Sequence, residues 1–545
     1  MSGTMKFTDS PEQAAVIQAP SYEDVVVVAG AGSGKTYTMT RRIITLIEQG
    51  VNPEKILGLT FTRKAASELL SRVSAAVSRN QRERGLKSAN MTFLKPEVST
   101  YDAFFQSIVR QYGLLVGFDQ NTQPLSEAGA MQLIHTVLDK HMVDLMAFDG
   151  DLKSFNTIAS NVFALSNAIS GAMIGSGCTS FDEAVQRVRD WDEAFIRQVD
   201  KALDGETVPT EQPKSPKPPK RLKKDSDADY EKKLEKYREL GHSMCVYNST
   251  QLASVAKQRN LLLDLVLDYH AEKQACNMAE FSDFTIAAFQ LVSRFPSIGA
   301  TYRKRYSHVL LDEYQDTSTT QAALLSALFH ADNTHRSAVN AVGDPFQSIY
   351  AWRGASPGAF RMLQHDFGMD TTRKPFALTV TRRNSRMVLE AANNLTKPLR
   401  LPARRLSSSL MREVDVPALS NIEEAPEGTI GVLGFATFGQ EVDAVVRFAK
   451  HAIALHTPSA RDLDHGAKDN RPHVAVLFRS KGTMSKYAEA LEQAGLTTLV
   501  VGQAALLERP EVQDVFALLH VVSDHTDSAA LMRLLATPRF AVEAD

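Results

Sequence analysis

The sequence predicts an α/β fold, in which helices flank a parallel sheet and a helical segment interrupts the first half of the chain. Three observations predict it. A β-branched run, Val25 to Val28, leads into a glycine-rich loop and then into a helical apolar pattern. A second apolar run, from His308 to Leu311, ends in two adjacent carboxylates. Between these runs, over about residues 113–283, helical periodicity predominates.

Length and composition limit the class of protein. The chain has 545 residues, too many for one core, so we expect several domains. Hydrophobic residues make up 43% and charged residues 23%, which is ordinary for a globular protein. Because 61 Lys and Arg face 63 Asp and Glu, for a net charge of −2, any contact with nucleic acid requires a local basic surface.

Cysteine spacing and hydropathy exclude further classes. Cys178, Cys245 and Cys276 are far apart and form no CxxC pair, which argues against a disulfide framework, a zinc ribbon or a clustered iron-sulfur site. The N-terminus lacks the hydrophobic core of a signal peptide, and no apolar run approaches the roughly 20 residues of a membrane span. We therefore expect a cytoplasmic protein with no membrane partner.

The first loop has the pattern of a phosphate-binding loop. It lies between the strand at Val25 and a helix that we expect to end near Gly50, and it reads Ala29-Gly30-Ala31-Gly32-Ser33-Gly34-Lys35-Thr36. Glycines let backbone N–H groups surround phosphate oxygens, while Lys35 reaches the β and γ phosphates and Thr36 offers a hydroxyl to Mg²⁺. A second strand is predicted directly afterwards, at Ile56 to Thr60.

The carboxylates after the strand at His308 complete a nucleotide site. Asp312 is placed to bind Mg²⁺ through its water shell, and Glu313 to polarise an attacking water. A surface turn would not need the buried apolar strand that precedes this pair. Together with the first loop, the pair predicts a site for hydrolysis of a nucleoside triphosphate.

The segment from Gly343 to Ala355 sets an amide close to two aromatic side chains. Gln347 lies three residues before Tyr350 and five before Trp352. This spacing predicts nucleotide chemistry coupled to a stacking surface.

Residues 208–224 form the most basic stretch of the chain. They contain five prolines and no aromatic residue, so we expect a disordered loop at about residues 205–226. A solvated surface loop and an arm that grips a DNA backbone both remain open.

These motifs resemble those of superfamily 1A DNA helicases of the UvrD/Rep/PcrA type, in the same order from Phe7 to the end of the chain. The resemblance implies tandem RecA-like domains of the P-loop NTPase fold. It assigns adenine recognition to Gln13, and DNA contacts to Phe61, Thr62, Arg63 and Thr100. Core packing of Phe61 is the competing interpretation. Asp102 stands where the family usually has a His, and a carboxylate repels phosphates, so we do not expect it to contact DNA as the His would.

The resemblance also assigns roles in the later motifs. Gln347 would sense the γ phosphate, while Tyr350, Trp352 and Arg353 would face DNA, where stacking tolerates any base sequence. Arg383 matches an arginine finger that stabilises the transition state. Arg382 stands where the family has an adenine-stacking Tyr, and Tyr37 where it has an Arg. We infer an adenine sandwich with its two faces exchanged; two unconnected surface substitutions are the alternative.

The expected domains follow the same resemblance. They are a first RecA-like domain over 1–112 and 284–373, a helical insertion over 113–283, and part of a second RecA-like domain over 374–545. Strand signals at Ala377 to Val380, Val474 to Phe478 and Thr497 to Val501 support the last of these. Because the family's second insertion and last motifs are not found, we expect a portion of a longer motor that unwinds DNA poorly or not at all by itself.

The function implied is that of an ATP-dependent 3′–5′ DNA helicase or translocase in repair or recombination, an ATP hydrolase also classed with the isomerases. It would use ATP and Mg²⁺ and bind single-stranded DNA and junctions of single and double strands. Two alternatives stay open. One is the motor of a helicase-nuclease of the RecBCD/AddAB/AdnAB kind, and the other is a translocase that strips proteins without unwinding DNA.

Overall fold

The computed structural model describes residues 9–83, 95–119, 121–147, 154–174, 176–222, 226–332, 334–351, 354–356, 358–400, 414–456, 474–501 and 510–537. The chain divides into two compact units, Met1–Thr429 and Ile430–Asp545. Within these described ranges, no helix combines the length and the hydropathy of a membrane span.

The strands and helices, in chain order, have the following bounds. The strands are β1 (Val25–Ala29), β2 (Ile56–Thr60), β3 (Glu97–Thr100), β4 (Gln123–Pro124), β5 (Met278–Ala279), β6 (His308–Leu311), β7 (Ala338–Gly343), β8 (Phe376–Leu378), β9 (Val380–Thr381) and β10 (Ser420–Asn421). The helices of the first unit are α1 (Pro11–Ile17), α2 (Lys35–Glu48), α3 (Arg63–Glu83), α4 (Tyr101–Tyr112), α5 (Glu127–Lys140), α6 (Met142–Ala147), α7 (Phe155–Ala172), α8 (Phe181–Ala202), α9 (Asp227–Ala275), α10 (Phe281–Arg294), α11 (Pro296–Arg305), α12 (Thr319–Phe329), α13 (Ala359–Asp366) and α14 (Arg386–Arg400). Those of the second unit are α15 (Phe438–His456), α16 (Met484–Gln493), α17 (Pro510–Ser523) and α18 (Ser528–Leu535).

A six-stranded parallel sheet organises the first unit, with the strand order β3-β2-β6-β7-β1-β8. Its registers include Val25 opposite Asn340 and Ile56 opposite His308. Because all the strands run the same way, their carboxyl ends lie along one edge of the sheet. In open α/β sheets ligands bind in the crevice at that edge.

Alternate side chains of each strand pack into two different cores, as the two-residue period of a strand requires. Val26 and Val28 of β1 belong to a core built with α4, α10, α11 and α12. Val25 and Val27 belong to a core on the opposite face, built with α1, α2 and α3. The sheet is therefore covered by helices on both faces, which explains the uninterrupted burial of β1.

The insertion has a core of its own, formed mainly by α5, α7, α8 and α9. A buried ion cluster joins the end of α9 to the start of α10. The Nζ of Lys273 lies 2.7 Å from Glu280 Oε2 and 2.7 Å from Asp283 Oδ2. The helical character predicted for this part of the chain is confirmed.

Several predicted elements are found and two are not. The strands predicted at Val25 and Ile56 are confirmed, and so is the helix after the glycine loop, which ends at Glu48. The strands predicted at Val474 to Phe478 and Thr497 to Val501 are wrong, since both segments are irregular in the described part of the second unit. A strand requires a hydrogen-bonded neighbour, and no described segment pairs with either of them.

Candidate functional site

The glycine loop joins the carboxyl end of β1 to the N-terminus of α2, so backbone N–H groups and the positive end of the helix dipole meet there. Gly32 and Gly34 have φ values of 77° and 88°, which favour glycine. Inside the loop, Ser33 Oγ donates to Gly30 O at 2.8 Å. The loop from Ala29 to Thr36 therefore has the shape of an anion cradle.

Lys35 and Glu313 form an ion pair across the crevice. Lys35 Nζ lies 2.8 Å from Glu313 Oε2, although the residues are 278 positions apart in the chain. Glu313 adopts a left-handed backbone conformation with φ of 49°. This conformation is strained for a residue with a side chain, and such strained residues cluster at functional sites. In this arrangement Lys35, the candidate phosphate ligand, is paired with Glu313, the carboxylate that would activate water.

Asp312 lies at the end of β6 and is only 9% exposed. Burial raises the pKa of its carboxyl to about 6; the negative charge of Glu313 adds to that rise, while Lys35 opposes it. Glu313 N donates to Asp312 Oδ1 at 3.0 Å. A nearby cation would restore the ionised form.

The donor set fits Mg²⁺. A carboxylate oxygen of Asp312 and the hydroxyl of Thr36 are hard oxygen ligands of the kind that Mg²⁺ takes from proteins, with phosphate and water completing its shell. Among the described residues, no three His, Cys, Asp or Glu side chains gather into a group that could hold a metal ion. Mg²⁺ often binds through only one or two protein ligands, so this is compatible with it.

Gln13 lies beside the glycine loop. Its Nε2 donates to Ser33 O at 3.0 Å, and its Oε1 accepts from Ser10 N at 3.0 Å. An amide has two N–H donors and two acceptor lone pairs, so one of each is left by these two bonds. Gln13 therefore holds the start of α1 against the loop. Its amide keeps one N–H donor and one acceptor lone pair with which it could bind the edge of a base.

The segment after β8 approaches the loop from the other side. Arg382 N donates to Gly32 O at 3.0 Å. A Cβ added at Gly32 would lie 2.5 Å from the Cβ of Arg383. The backbone of both arginines therefore lies directly beside the loop. Tyr37 OH donates to Asp9 Oδ1 at 2.6 Å, and Arg382 is close enough to act on the Tyr37 pKa, which burial raises. Tyr37 and Arg382 thus border the same part of the crevice.

The sequence motifs did not single out Gln315, a residue only 3% exposed that connects the two ends of the crevice. Its Nε2 donates to Glu313 Oε2 at 2.9 Å, and its Oε1 accepts from Asp344 N at 3.0 Å. Gln347 Nε2 in turn donates to Asp344 Oδ2 at 2.7 Å. A Cβ at Gly343 would lie 2.1 Å from Gln315 Oε1, so a glycine there leaves room for the amide. The only sequence feature that could have indicated a role for Gln315 was its position two residues after Glu313.

Aromatic rings occupy the neighbouring part of the same edge. The rings of Phe61 and Tyr350 are stacked, with centroids 6.2 Å apart and planes 10° apart, and Phe61 also packs 5.1 Å from Tyr101. Phe61 and Tyr350 line a pocket of about 360 Å³. The ring of Phe61 is therefore part of the core and part of this pocket, so neither of the two interpretations of it excludes the other.

The remaining predicted DNA contacts lie near these rings. Thr62 and Arg63 are exposed at the start of α3, and Thr100 caps α4, accepting from Ala103 N at 3.3 Å. Asp102 lines the same pocket, where Gln321 Nε2 donates to its Oδ1 at 3.3 Å. Trp352 and Arg353 lie outside the described residues.

The fold and the site define a P-loop nucleotide-binding protein whose cradle, paired carboxylates and stacked rings share one edge of a parallel sheet. Sequence comparison identifies its family. Residues 9–368 match the UvrD/REP helicase N-terminal domain, and residues 383–544 match the UvrD-like helicase C-terminal domain. The chain belongs to the UvrD/REP helicase family, whose fold is a tandem pair of RecA-like domains.

Individual relatives agree with this assignment. The chain is 27% identical over 521 residues to the ATP-dependent DNA helicase UvrD1 of Mycobacterium tuberculosis, covering 94% of this chain and 52% of the relative. It is 24% identical over 516 residues to the ATP-dependent DNA helicase Rep of Escherichia coli, covering 94% and 58%. It is also 22% identical over 655 residues to an ATP-dependent helicase/nuclease protein of Latilactobacillus sakei, covering 97% and 72%. The chain thus spans about half the length of the two helicases.

Proposed function

We propose that this chain is the ATP-hydrolysing part of a motor that moves along single-stranded DNA, in a helicase or translocase of 3′–5′ polarity. One observation carries the proposal: the anion cradle and the stacked rings lie on the same sheet edge. The hydrogen bonds of Gln315 connect Glu313 to Asp344, in the same segment as Tyr350. The family membership and the names of the relatives support ATP and DNA as the two ligands.

Hydrolysis would begin with an exchange of partners at Lys35. The γ phosphate of ATP competes with Glu313 for the ammonium group, because a phosphate carries more charge than a carboxylate. Once released, Glu313 becomes a base that can orient and polarise a water. Asp312 and Thr36 would hold Mg²⁺, whose positive charge would offset the negative charge that develops on the phosphate.

The base and the γ phosphate would be recognised by residues around the loop. We assign the adenine edge to Gln13 and the two adenine faces to Tyr37 and Arg382, in the exchanged order. Gln347 would sense the γ phosphate, and Arg383 would stabilise the transition state. The backbone hydrogen bond between Arg382 and Gly32 supports this assignment, because it places both arginines next to the cradle.

The DNA strand would lie over the ring pair. Phe61 and Tyr350 offer π faces on which any base can stack, and Thr62, Arg63 and Thr100 offer phosphate contacts. Stacking of this kind is worth about 1 to 3 kcal/mol per base and does not depend on sequence. We assign Trp352 and Arg353 to the same surface by their motif alone.

The first RecA-like domain would comprise 1–112 and 284–373, with the insertion at 113–283. The sequence-based boundary at 374 would move beyond β8, because β8 pairs with β1 in the first sheet. Action in repair or recombination, and preference for junctions of single and double strands, follow only from the resemblance. We propose a cytoplasmic location, which rests on the family membership alone.

The test is steady-state ATP hydrolysis with and without an unstructured oligonucleotide. We expect hydrolysis that rises with single-stranded DNA in the unaltered chain, and loss of turnover in Glu313→Gln with ATP binding retained. Fluorescent displacement of a reporter from the 3′ or the 5′ end of the oligonucleotide checks the polarity. An ATP hydrolysis rate that is the same with and without single-stranded DNA would contradict the proposal.

A second candidate is favoured by one comparison. The chain covers 72% of the helicase/nuclease protein that it resembles, a larger share than it covers of the two helicases. The same site would then drive a motor that feeds DNA to a nuclease. The sequence that encodes the full protein distinguishes the two, since a nuclease requires an additional carboxylate metal site.

A further inference from the structure

Arg42, on α2, carries a completely buried guanidinium. The residue lies about two helical turns after Lys35, on the side of the sheet where α1 packs. Its Nε donates to Asn340 Oδ1 on β7 at 3.2 Å. Because burying a charge is costly unless its donors are satisfied, the other donors of Arg42 need acceptors as well.

Those donors bind the carboxyl end of α1. Nη1 of Arg42 donates to Ile17 O at 3.1 Å and to Ala19 O, and Nη2 donates to Pro20 O at 2.9 Å. Ile17 is the last residue of α1, so these carbonyls lie at the negative end of the helix, where a cation is stabilising. The planar guanidinium holds all of them in one fixed geometry, which the single nitrogen of a lysine does not reproduce.

The start of α1 is attached to the glycine loop and to α2. Gln13 Nε2 donates to Ser33 O at 3.0 Å. Tyr37 OH donates at 2.6 Å to Asp9 Oδ1, which lies just before the helix. With 7 residues, α1 is only about 10 Å long. A displacement of its carboxyl end therefore also moves Gln13.

α1 contacts the segment that carries Arg382 as well. Thr379 N donates to Glu12 Oε2 at 2.7 Å, shortly before Arg382 in the chain. The three side chains assigned to the adenine, Gln13, Tyr37 and Arg382, are thus all connected to α1. The shape of the phosphate cradle is set instead by its own glycines and by the strand and helix on each side of it.

We propose that Arg42 is a positioning residue for recognition of the base. It holds the end of α1 and so sets the place of Gln13, while its own side chain is buried away from the nucleotide. An aliphatic side chain would avoid the cost of a buried charge but would leave three carbonyls without donors and α1 free to shift. Arg42 therefore determines how well the site distinguishes adenine from guanine, and not how tightly it binds phosphate.

This role of Arg42 rests on the proposed function, in which Gln13 binds the adenine edge. An amide pairs bidentately with N6 and N7 of adenine, whereas guanine has an acceptor at O6 in place of the N6 donor. A displaced Gln13 would lose this distinction, and the triphosphate would still reach the cradle.

The test is equilibrium binding of ATP, GTP and inorganic tripolyphosphate to the whole chain with Mg²⁺, measured by calorimetry. Arg42→Lys keeps the positive charge and loses the planar fork. We expect it to reduce the affinity for ATP about tenfold, within the range that one bidentate amide–base pair provides. The affinities for GTP and tripolyphosphate should change little. An unchanged preference for ATP over GTP, or an equal loss of all three affinities, would overturn the positioning role.

Asn340→Ala is the matched control. It removes one hydrogen bond of the same buried guanidinium, on the side of β7, and leaves the three carbonyls at the end of α1 bound. We expect lower stability in urea with the preference for ATP over GTP unchanged. If this variant loses the preference as Arg42→Lys does, general destabilisation explains the effect and the positioning role is wrong.

Pro20→Gly tests the same contact without altering a buried side chain, since Pro20 is exposed. Proline restricts its own backbone and that of Ala19, and these two residues supply two of the carbonyls that Arg42 binds. Glycine removes both restrictions, so the preference for ATP should fall about threefold. If Arg42→Lys does not fold, this variant decides, and an unchanged preference overturns the role of Arg42.

Gln13→Ala separates the role of Arg42 from the assignment on which it rests. If Gln13→Ala keeps the preference for ATP, the adenine assignment of Gln13 is wrong and the role of Arg42 is wrong with it. If Gln13→Ala loses the preference and Arg42→Lys keeps it, only the role of Arg42 is wrong. We expect both variants to lose it, and the double variant to lose no more than Gln13→Ala alone, because the two residues act through one contact.

Discussion

At the scale of single residues, the carboxyl of Asp312 determines how pH acts on the site. Burial raises its pKa to about 6, so below that pH it is protonated before a ligand binds, and a proton must leave when Mg²⁺ arrives. We therefore expect the apparent affinity for Mg²⁺ in the presence of ATP to be constant above about pH 7 and to fall by about tenfold per unit well below pH 6. Titrations of Mg²⁺ between pH 5 and 8 measure it. An affinity that stays constant down to pH 5 would show that Asp312 does not bind the metal.

The adenine sandwich is a second residue-scale prediction. Tyr37→Ala and Arg382→Ala should each raise the KM for ATP by about threefold to thirtyfold, the range of a cation–π or stacking contact of about 0.7 to 2 kcal/mol. Tyr37→Phe is the matched control, since it keeps the ring and removes only the hydrogen bond to Asp9. If both alanine variants bind ATP as the unaltered chain does, the exchange of faces is wrong.

At the scale of elements, the turn after β6 and the turn after β7 are linked through Gln315. Replacing it by leucine removes its bonds to Glu313 and to the backbone of Asp344. We expect the stimulation of hydrolysis by single-stranded DNA to fall by about tenfold, which corresponds to one hydrogen bond to a charged group, while the affinity for ATP changes little. The ratio of kcat with DNA to kcat without DNA measures this.

A second variant separates the link from a local defect. Gly343→Ala leaves Gln315 in the chain but brings a Cβ to within 2.1 Å of its Oε1, so the amide must move. The same loss of stimulation is expected, with thermal unfolding used to confirm that both variants fold. Full stimulation in both would mean that the two turns communicate by another route.

At the scale of the whole molecule, the insertion is joined to the sheet domain by the buried cluster at Lys273. Lys273→Met leaves Glu280 and Asp283 buried without their cation and should cost about 3 to 5 kcal/mol. The control is Lys140→Met, which breaks an exposed pair with Glu272 and should cost less than about 1 kcal/mol. Unfolding in urea compares them, and equal effects would show that the cluster does not stabilise this junction.

The sequence predicted those parts of the molecule that depend on neighbours in the chain. The loop from Ala29 to Thr36 and the acids after β6 were evident because each motif lies on one strand, turn and helix. It could not show that Lys35 pairs with Glu313, because 278 residues separate them and only the strand order brings them together. Gln315 was missed for the same reason, since one of its partners, Asp344, is 29 positions away.

The second unit was predicted less well. Val474 to Phe478 and Thr497 to Val501 have apolar, β-branched sequences that favour strands, yet neither is paired among the described residues. Leu477 and Leu499 are 92% and 88% exposed, so the burial that a parallel strand normally has is not present at these positions. The β propensity of a short segment predicts an extended backbone. Whether that segment becomes a strand depends on a hydrogen-bonding partner elsewhere in the chain.

We expect bases stacked on Phe61 and Tyr350 to accelerate ATP hydrolysis at the nucleotide cradle, and a DNA strand without bases tests this coupling. ATP hydrolysis is measured with an oligonucleotide of thymidines and with an abasic strand of the same length and charge. Because stacking contributes about 1 to 3 kcal/mol per base, we predict strong stimulation by the thymidine strand and weak stimulation by the abasic strand at the same concentration. Equal stimulation by the two strands would show that stacking of bases on these rings does not accelerate hydrolysis.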